Sequence, residues 1–454
     1  MPALRSKYVR RLSLLTVLAV ILRVATGDAA LVDRAELKDA GLMRAWTAQA
    51  PIDNYRGGGV TAIVHRGVVY ALTTRGQLRA FDGETGATLW TNRVGDPRRR
   101  SLGPAISDTR DGVRVCLTNG SNVYKIDANT GAVLKVVSTP GAPGAPPAIA
   151  GKRMFVPLVD GRVIGAPLTE ETLISWNYKS VGEIFASPVP VKDSVLWTTS
   201  QGFLYAASAD GSVRYRFRGA APLVGPPAVD EVAYLPTTTG LLYAIDPENG
   251  RQLWRASVGD DVQMPAVVAA GVAYVGSTAP ALHAYDAADG RPLWSIDGVN
   301  QFVSSSGDRV YAVGPDGRLA MVNIASEGGE ARWISRLNAR AITNTESDRL
   351  YLVSDSGLIQ CLHEESLTSA RRHDGAPAPQ ADNDAKNETT EEPRESDPFE
   401  DDADEQPIDD DPFADEPNDA EDDPFATDDS IDEPEDDGFG DFGADEDDPF
   451  ADPF

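Results

Sequence analysis

The carboxylates that could do chemistry in this sequence recur at one place in a repeated stretch. Asp82, Asp127, Asp246 and Asp286 each open a short segment that ends in glycine, as DPENG does at 246–250. Carboxylates can hold cations or accept protons, but an aspartate at the start of a turn also accepts hydrogen bonds from nearby backbone N–H groups. Glycine at the end accepts positive φ. We therefore assign these aspartates to turns rather than to catalysis.

The four histidines offer no metal-binding pattern. No two of them have the spacing of metal ligands, and His363 stands where other repeats have the turn aspartate. We expect solvated or internally hydrogen-bonded histidines at all four positions: His65, His283, His363 and His373.

The two cysteines, Cys116 and Cys361, fall on strands of different repeats. Both align with positions that small residues fill elsewhere, such as Ala71 and Ala80. No CxxC pattern or adjacent pair of cysteines is present. We expect buried free thiols, with a disulfide or a metal site as the alternative.

A repeated unit positions these residues, and its clearest copy is GLLYAIDPENGRQLWRASVG at 240–259. Leu242 to Ile245 form an apolar strand, the turn ends at Gly250, and Leu253 and Trp254 open a second strand. Such a pattern predicts a β-hairpin. Eight units of this kind follow one another between 67 and 373 with a period of about 38 residues, which is within the range of propeller blades.

Each unit predicts about four short strands, and long amphipathic helical patterns are absent. A single four-stranded sheet cannot bury both faces, so neighbouring units must stack, and closing the ring protects the sheet edges. We predict an all-β fold, an eight-bladed β-propeller of four-stranded antiparallel blades. The alternative is seven blades with one divergent segment.

The outer strands of most units carry an aromatic residue at a matching position. We predict a structural role for these side chains in sealing contacts between blades, because such contacts bury aromatic surface. Trp46 resembles them, although no hairpin precedes it, and unit eight lacks an aromatic residue there. We hypothesise that residues 42–50 complete blade eight; alternatively, Trp46 packs beneath the array. The predicted blade aromatics are Trp46, Trp90, Trp176, Tyr215, Trp254, Trp294 and Trp333.

The N-terminus has the pattern of an export signal. Basic residues between Arg5 and Arg11 precede the apolar run 12–22, which is short for a membrane span of about 20 residues. We predict a signal peptide over 1–27, with an uncleaved anchor as the alternative. A lead-in over 28–41 and the propeller over 42–373 follow. The predicted location is extracytoplasmic, in the periplasm or cell envelope.

The acidity of the chain belongs to its C-terminal end. Residues 374–454 hold 35 acidic residues against Lys386 and Arg394, a net charge of −33, whereas the rest of the chain is near neutral. Like-charge repulsion and few aliphatic residues predict a disordered tail. Nothing in the near-neutral remainder suggests a nucleic-acid-binding face.

Asp-Pro-Phe recurs five times in this acidic tail. Aromatic residues spaced along an acidic chain are typical of short motifs that bind weakly one by one and tightly together. The alternative is a solubilising polyanionic brush. The candidate partner-binding residues are Phe399, Phe413, Phe425, Phe450 and Phe454.

The pattern A-x-D-x-x-T-G-x-x-x-W at 80–90, with looser copies at 244–254 and 284–294, resembles the pyrroloquinoline-quinone (PQQ)-type propeller repeat. The resemblance covers about residues 42–373. It implies the propeller fold and two functional branches. These are the quinoprotein dehydrogenases and non-catalytic propellers such as the lipoprotein of the outer-membrane β-barrel assembly machinery.

The dehydrogenase branch implies a quinone on the propeller axis, a Ca²⁺ or lanthanide ion held by carboxylates and amides, an aspartate base and often a disulfide between adjacent cysteines. Here the segments between blades are short and adjacent cysteines are absent. We therefore predict that the protein is not an enzyme and holds no cofactor or metal. A PQQ-dependent dehydrogenase is the alternative.

The non-catalytic branch requires only a rigid ring with loops on two faces. The predicted function is a protein–protein interaction scaffold at the cell envelope, and the resemblance implies a role in outer-membrane protein assembly. The sequence departs from that lipoprotein in lacking a cysteine near the N-terminus and in having the acidic tail. Predicted partners are proteins, through the propeller faces and the tail. We predict no nucleic acid, membrane contact only through an uncleaved N-terminal segment, and a monomer.

Overall fold

The computed structural model describes residues 31–50, 59–168, 176–324 and 330–373. These residues form eight separate four-stranded antiparallel sheets. A short helix, α1 (Arg34–Asp39), precedes the first strand, and its N-cap Asp33 accepts a hydrogen bond of 2.7 Å from the N–H of Ala35.

The strands follow the chain blade by blade, except that the first strand, β1 (Leu42–Gln49), belongs to blade 8. Blade 1 comprises β2 (Val60–His65), β3 (Val68–Thr73), β4 (Gln77–Asp82) and β5 (Thr88–Arg93), and blade 2 comprises β6 (Ser101–Thr109), β7 (Gly112–Asn119), β8 (Asn122–Asp127) and β9 (Val133–Ser138). Blade 3 comprises β10 (Ala148–Ala150), β11 (Arg153–Pro157), β12 (Arg162–Pro167) and β13 (Trp176–Lys179), and blade 4 comprises β14 (Val189–Val191), β15 (Ser194–Thr198), β16 (Phe203–Ser208) and β17 (Val213–Arg218). Blade 5 comprises β18 (Ala228–Val229), β19 (Ala233–Pro236), β20 (Leu241–Ile245) and β21 (Gln252–Ser257), and blade 6 comprises β22 (Val267–Ala269), β23 (Val272–Gly276), β24 (Ala281–Asp286) and β25 (Pro292–Asp297). Blade 7 comprises β26 (Gln301–Ser306), β27 (Arg309–Val313), β28 (Arg318–Asn323) and β29 (Glu330–Arg336), and blade 8 comprises β30 (Arg340–Ile342), β31 (Leu350–Val353), β32 (Leu358–Glu364) and β1.

The burial of side chains differs between the inner, middle and outer strands of a blade, as expected for stacked sheets. The first strands of several neighbouring blades contact one another around the axis. Middle strands such as β15 are buried at every position, because a blade lies against each of their faces. Outer strands such as β17 alternate between half-buried and exposed residues. This arrangement confirms the predicted eight-bladed propeller with four-stranded antiparallel blades.

The ring closes through the N-terminal strand. β1 pairs antiparallel with β32, and Trp46 stands opposite Cys361. The sheet order β1-β32-β31-β30 makes β1 the outer strand of blade 8. The structure therefore confirms that residues of the 42–50 segment complete the last blade, and the alternative of seven blades is wrong.

Aromatic side chains of outer strands lie against turn glycines of the following blade. A Cβ built on Gly86 would lie 2.5 Å from the Trp46 ring, and one on Gly131 would lie 2.4 Å from the Trp90 ring. The Trp46 indole N–H also donates to the Gly83 carbonyl at 2.9 Å. Glycine is thus required for the close approach of turn and indole. The same contact joins Trp176 to Gly211, Tyr215 to Gly250 and Trp254 to Gly290.

Two other aromatic residues lie in the seam between blades 6 and 7. Trp294 and Trp333 pack against one cluster there, and the Arg318 guanidinium lies 4.2 Å from the Trp333 ring centroid. A register shift in β29 lets Ile334 pack instead against the cluster that contains Leu37 of α1. The helix therefore covers the seam between blades 7 and 8.

Blade 2 differs from the others at the aromatic position. Lys135 stands there and pairs with Lys125, which pairs with Cys116. By this register Cys116 matches Tyr70, not Ala71 as the sequence alignment suggested, because the turn between the middle strands is one residue shorter in blade 2. Cys116 and Cys361 are buried free thiols, and burial raises the pKa of Cys116 to about 12.

Candidate interaction surface

The two faces of the ring carry different parts of the chain. At the upper face the inner strands begin, so it holds the connections between blades and the turns between middle strands. At the lower face the inner strands end, so it holds the first and last turn of each blade.

The repeated aspartates lie in lower-face turns, as the sequence predicted. Asp82 accepts hydrogen bonds from the N–H groups of Glu84 and Thr85 at 3.1 and 2.7 Å, and Asp127 accepts one of 3.0 Å from Thr130. Asp246 and Asp286 accept equivalent bonds of 2.9 Å each. These carboxylates stabilise turns.

A cavity of about 760 Å³ opens at the upper end of the axis, where the resemblance implies a quinone site. Its lining is mainly aliphatic, from β2, β30 and neighbouring turns. The polar members are Thr61, Asn300, Gln301, Arg340 and Thr343. Ca²⁺ prefers several oxygen ligands that include carboxylates. The described residues that line the cavity include no carboxylate, so they do not fit a metal–quinone pair.

The lower end of the axis holds a charged cluster built from three blades. His65 of blade 1 lies 2.9 Å through Nδ1 from a Glu346 carboxylate oxygen and 3.2 Å through Nε2 from Asp108. Arg66 also pairs with Asp108, at 3.1 Å. Burial by itself would lower the pKa of His65, but hydrogen bonding and charge from Glu346, and then from Asp108, outweigh it and raise that pKa. Protonated His65 can donate to both carboxylates, which ties blades 8, 1 and 2 together.

This cluster predicts a pH dependence of stability. A histidine whose pKa is raised in the folded state contributes fully below its ordinary pKa of about 6.5, and the contribution disappears as pH rises through the raised value. We therefore expect the melting temperature to fall as the pH rises above about 6.5, and less so in His65→Gln.

The matched control for this titration is His283→Gln. Burial lowers the pKa of His283, so its contribution to stability has the opposite sign with pH. This variant should keep the full fall in melting temperature. An equal fall in wild type and His65→Gln would show that the cluster does not titrate as described.

The upper face carries the most exposed large apolar side chain of the described chain. Phe185 is 61% exposed and Val181 is 49% exposed, both in the connection between blades 3 and 4. Phe185 lines a cavity of about 310 Å³ together with Arg100, from the connection between blades 1 and 2. We call Val181, Phe185 and 98–100 the upper-face patch.

The arginines of this patch are available to a partner. Arg98, Arg99 and Arg100 are exposed. Arg98 approaches Asp96 only at 3.8 Å, and neither Arg99 nor Arg100 has a side-chain hydrogen bond or ion pair within the described ranges. The sequence alone did not reveal this patch, because 81 positions or more separate its two halves. The run of three arginines was its only visible signal.

Several predicted features lie outside the described residues. These are the signal peptide over 1–27, the tail over 374–454 and the five candidate phenylalanines Phe399, Phe413, Phe425, Phe450 and Phe454. Of the part of the chain that is described, no helix is long and apolar enough to cross a membrane. In that same part, no group of three or more histidine, cysteine, aspartate or glutamate side chains is arranged to hold a metal ion.

Known proteins show the same fold. BamB from Moraxella catarrhalis superposes with a TM-score of 0.56 at 18% identity, over 71% of this chain and 99% of that chain. The computationally designed protein Ika8 superposes with a TM-score of 0.54 at 13% identity, over 68% of this chain and 97% of that chain. No curated protein matches the sequence.

The sequence also matches a family described as outer membrane protein assembly factor BamB, over residues 22–178, 170–254 and 238–401. These segments include the whole described ring. Since they span well over half of the sequence, the chain belongs to the family of the outer membrane protein assembly factor BamB.

Proposed function

We propose that this protein is a non-catalytic, extracytoplasmic scaffold that binds protein partners in outer-membrane protein assembly. Membership of the BamB family supports the process. The observation that carries the binding role is the upper-face patch, in which the exposed Phe185 and the exposed Arg100 line one cavity.

The composition of this patch suits a protein interface. Aromatic residues and arginine are enriched among the residues that dominate binding energy, and they contribute most where the partner excludes water from them. A partner segment with an apolar side chain for the cavity and a carboxylate for Arg98, Arg99 or Arg100 would match both features.

The connection that carries Phe185 is held in place on both sides. Val181 donates its N–H to the Tyr205 hydroxyl at 3.0 Å, and Ser200 donates to the Glu183 carbonyl at 2.9 Å. Ile184, next to Phe185, is fully buried. Because the backbone is already ordered, binding would lose little conformational entropy.

We expect Phe185→Ser to reduce binding of outer-membrane assembly proteins in envelope extract by roughly 30-fold, as loss of an interface hot spot of about 2 kcal/mol does. Capture on immobilised full-length protein, quantified by mass spectrometry, measures this. Leu253→Ser is the matched control, since Leu253 is an exposed apolar residue, 41% accessible, on an outer strand. Retention of these proteins by Phe185→Ser with loss by Leu253→Ser would contradict the proposed surface.

The other parts of the proposal have their own tests. The absence of catalysis is supported by the lining of the axial cavity, and finding stoichiometric quinone with a divalent metal in purified protein would contradict it. A monomer would show a mass near 48.5 kDa, less any cleaved signal, by light scattering.

Partner binding by the tail requires its phenylalanines, so capture unchanged after their replacement by serine would leave only a polyanionic role.

A further inference from the structure

Strand β17, the outer strand of blade 4, presents a row of positive charge. Arg214, Arg216 and Arg218 alternate along it and are exposed, whereas Val213, Tyr215 and Phe217 between them are half-buried. Arg216 and Arg218 therefore project from one side of the strand, and Arg214 precedes them at a β-bulge, where the register with β16 shifts.

Two of these arginines share a buried aromatic ring. The guanidinium carbons of Arg216 and Arg218 lie 4.9 and 5.4 Å from the ring centroid of Phe203, which is only 9% exposed. Stacking on an aromatic face orients a guanidinium group and leaves its N–H edge free for a bidentate acceptor.

No carboxylate of the described residues pairs with this row. Within the described ranges, Arg214, Arg216 and Arg218 form no ion pair, although two of them are held over one ring. Like charges that are held together without a counter-charge favour an anionic ligand.

The outer backbone edge beside the row pairs with no described strand. β17 is last in the order β14-β15-β16-β17 and pairs only with β16 among the described strands. Its outer N–H and C=O groups are therefore available for pairing with another extended chain. Three like charges repel a basic strand and attract an acidic one.

The charge on β17 sets it apart from the other outer strands. Each of the other seven carries at most two basic residues, and β29, which has two, also contains an acidic one. Charges on edge strands commonly prevent unwanted pairing. On β17, a third arginine and the shared ring of Phe203 are present in addition.

We propose that β17 binds an extended acidic segment of a partner protein, with carboxylates at alternate positions facing the three arginines. Alternate residues of an extended segment repeat every roughly 6.7 Å, which matches the regular part of the row at Arg216 and Arg218. The free edge of β17 favours a peptide over a lipid surface, because only a peptide can also pair with the backbone. This site is separate from the upper-face patch and does not depend on it.

The test is binding of a short fluorescent peptide in which aspartate alternates with threonine, measured by anisotropy on the full-length protein. The matched probe has the same composition with its aspartates contiguous. We expect the alternating peptide to bind more tightly, and R214Q/R216Q/R218Q to weaken its binding by about tenfold, as three exposed charge pairs together contribute. The charge-matched control R34Q/R110Q/R336Q removes three exposed arginines elsewhere and should bind as wild type does.

A second variant separates geometry from charge. R216K/R218K keeps the charge but removes the planar guanidinium groups, so it should lose part of the affinity while its thermal melting stays unchanged. Equal binding of both peptides, or equal loss in the control variant, would overturn the proposal in favour of unspecific charge attraction. Binding to phosphatidylglycerol vesicles that depends on the three arginines, without binding of the alternating peptide, would overturn it in favour of a lipid site.

Discussion

Replacing Trp46 by alanine is expected to lower the free energy of unfolding by about 3–5 kcal/mol, the usual cost of removing a large buried side chain. Trp46 is 8% exposed, packs on the turn of blade 1 at Gly86, and donates to Gly83 at 2.9 Å. It also lies 6.1 Å, between ring centroids, from Tyr351 of its own blade. The variant therefore weakens the closure of the ring, and denaturant unfolding measures the change.

Two further variants divide this effect into its parts. Trp46→Phe keeps most of the ring but loses the hydrogen bond, so it should cost about 1 kcal/mol for that bond beside any loss of packing. Gly86→Ala places a Cβ 2.5 Å from the indole at a residue with φ of +71°, so it should disturb the same contact from the other side. A cost of Trp46→Ala no larger than that of Leu89→Ala, at a half-exposed position, would refute the closing role.

Arg349→Met is expected to destabilise the protein by about 3–5 kcal/mol, as removal of one partner of a buried ion pair does. Arg349 is 1% exposed and donates through Nε and Nη2 to the two carboxylate oxygens of Glu84, at 3.2 and 2.9 Å. Its Nη1 lies 3.4 Å from the buried Asp348. Methionine would leave Asp348 without a counter-charge inside the seam between blades 8 and 1. Denaturant unfolding of the variant measures the loss.

Asp348→Asn supplies the control for this pair. Burial raises the pKa of Asp348, and its Oδ2 has no hydrogen-bond partner among the described residues. In the Arg349→Met background, Asp348→Asn removes the unpaired charge and should recover part of the lost stability. Glu84→Gln should cost less than Arg349→Met, since Glu84 is partly exposed. Failure of Asp348→Asn to recover any stability would show that lost packing, not charge, causes the effect.

The blades were predictable because the information for each lies within about 40 residues. The turn aspartates, the turn glycines and the outer-strand aromatics repeat at nearly constant spacing, and hairpins form from neighbouring residues. Even the closing strand was predictable, because Trp46 has no hairpin of its own and the eighth sequence unit lacks an aromatic residue at the matching position. The repeat spacing gave the wrong alignment for Cys116, because the turn between the middle strands of blade 2 is one residue shorter.

The contacts between distant residues were not predictable. His65 meets Glu346, and Arg349 meets Glu84, 265 positions away, because closure of the ring brings the first and last blades together. The upper-face patch likewise depends on connections between different blades lying side by side.

The sequence by itself therefore determined the repeat, the number of blades, the turn chemistry and the strand that closes the ring, since these depend on short-range patterns and on the need to bury each sheet. Only the tertiary structure decided which charges meet at the closure, which loops surround Phe185 and which ring the arginines of β17 share. Those contacts depend on how the blades stack and on side-chain geometry, which no local pattern encodes.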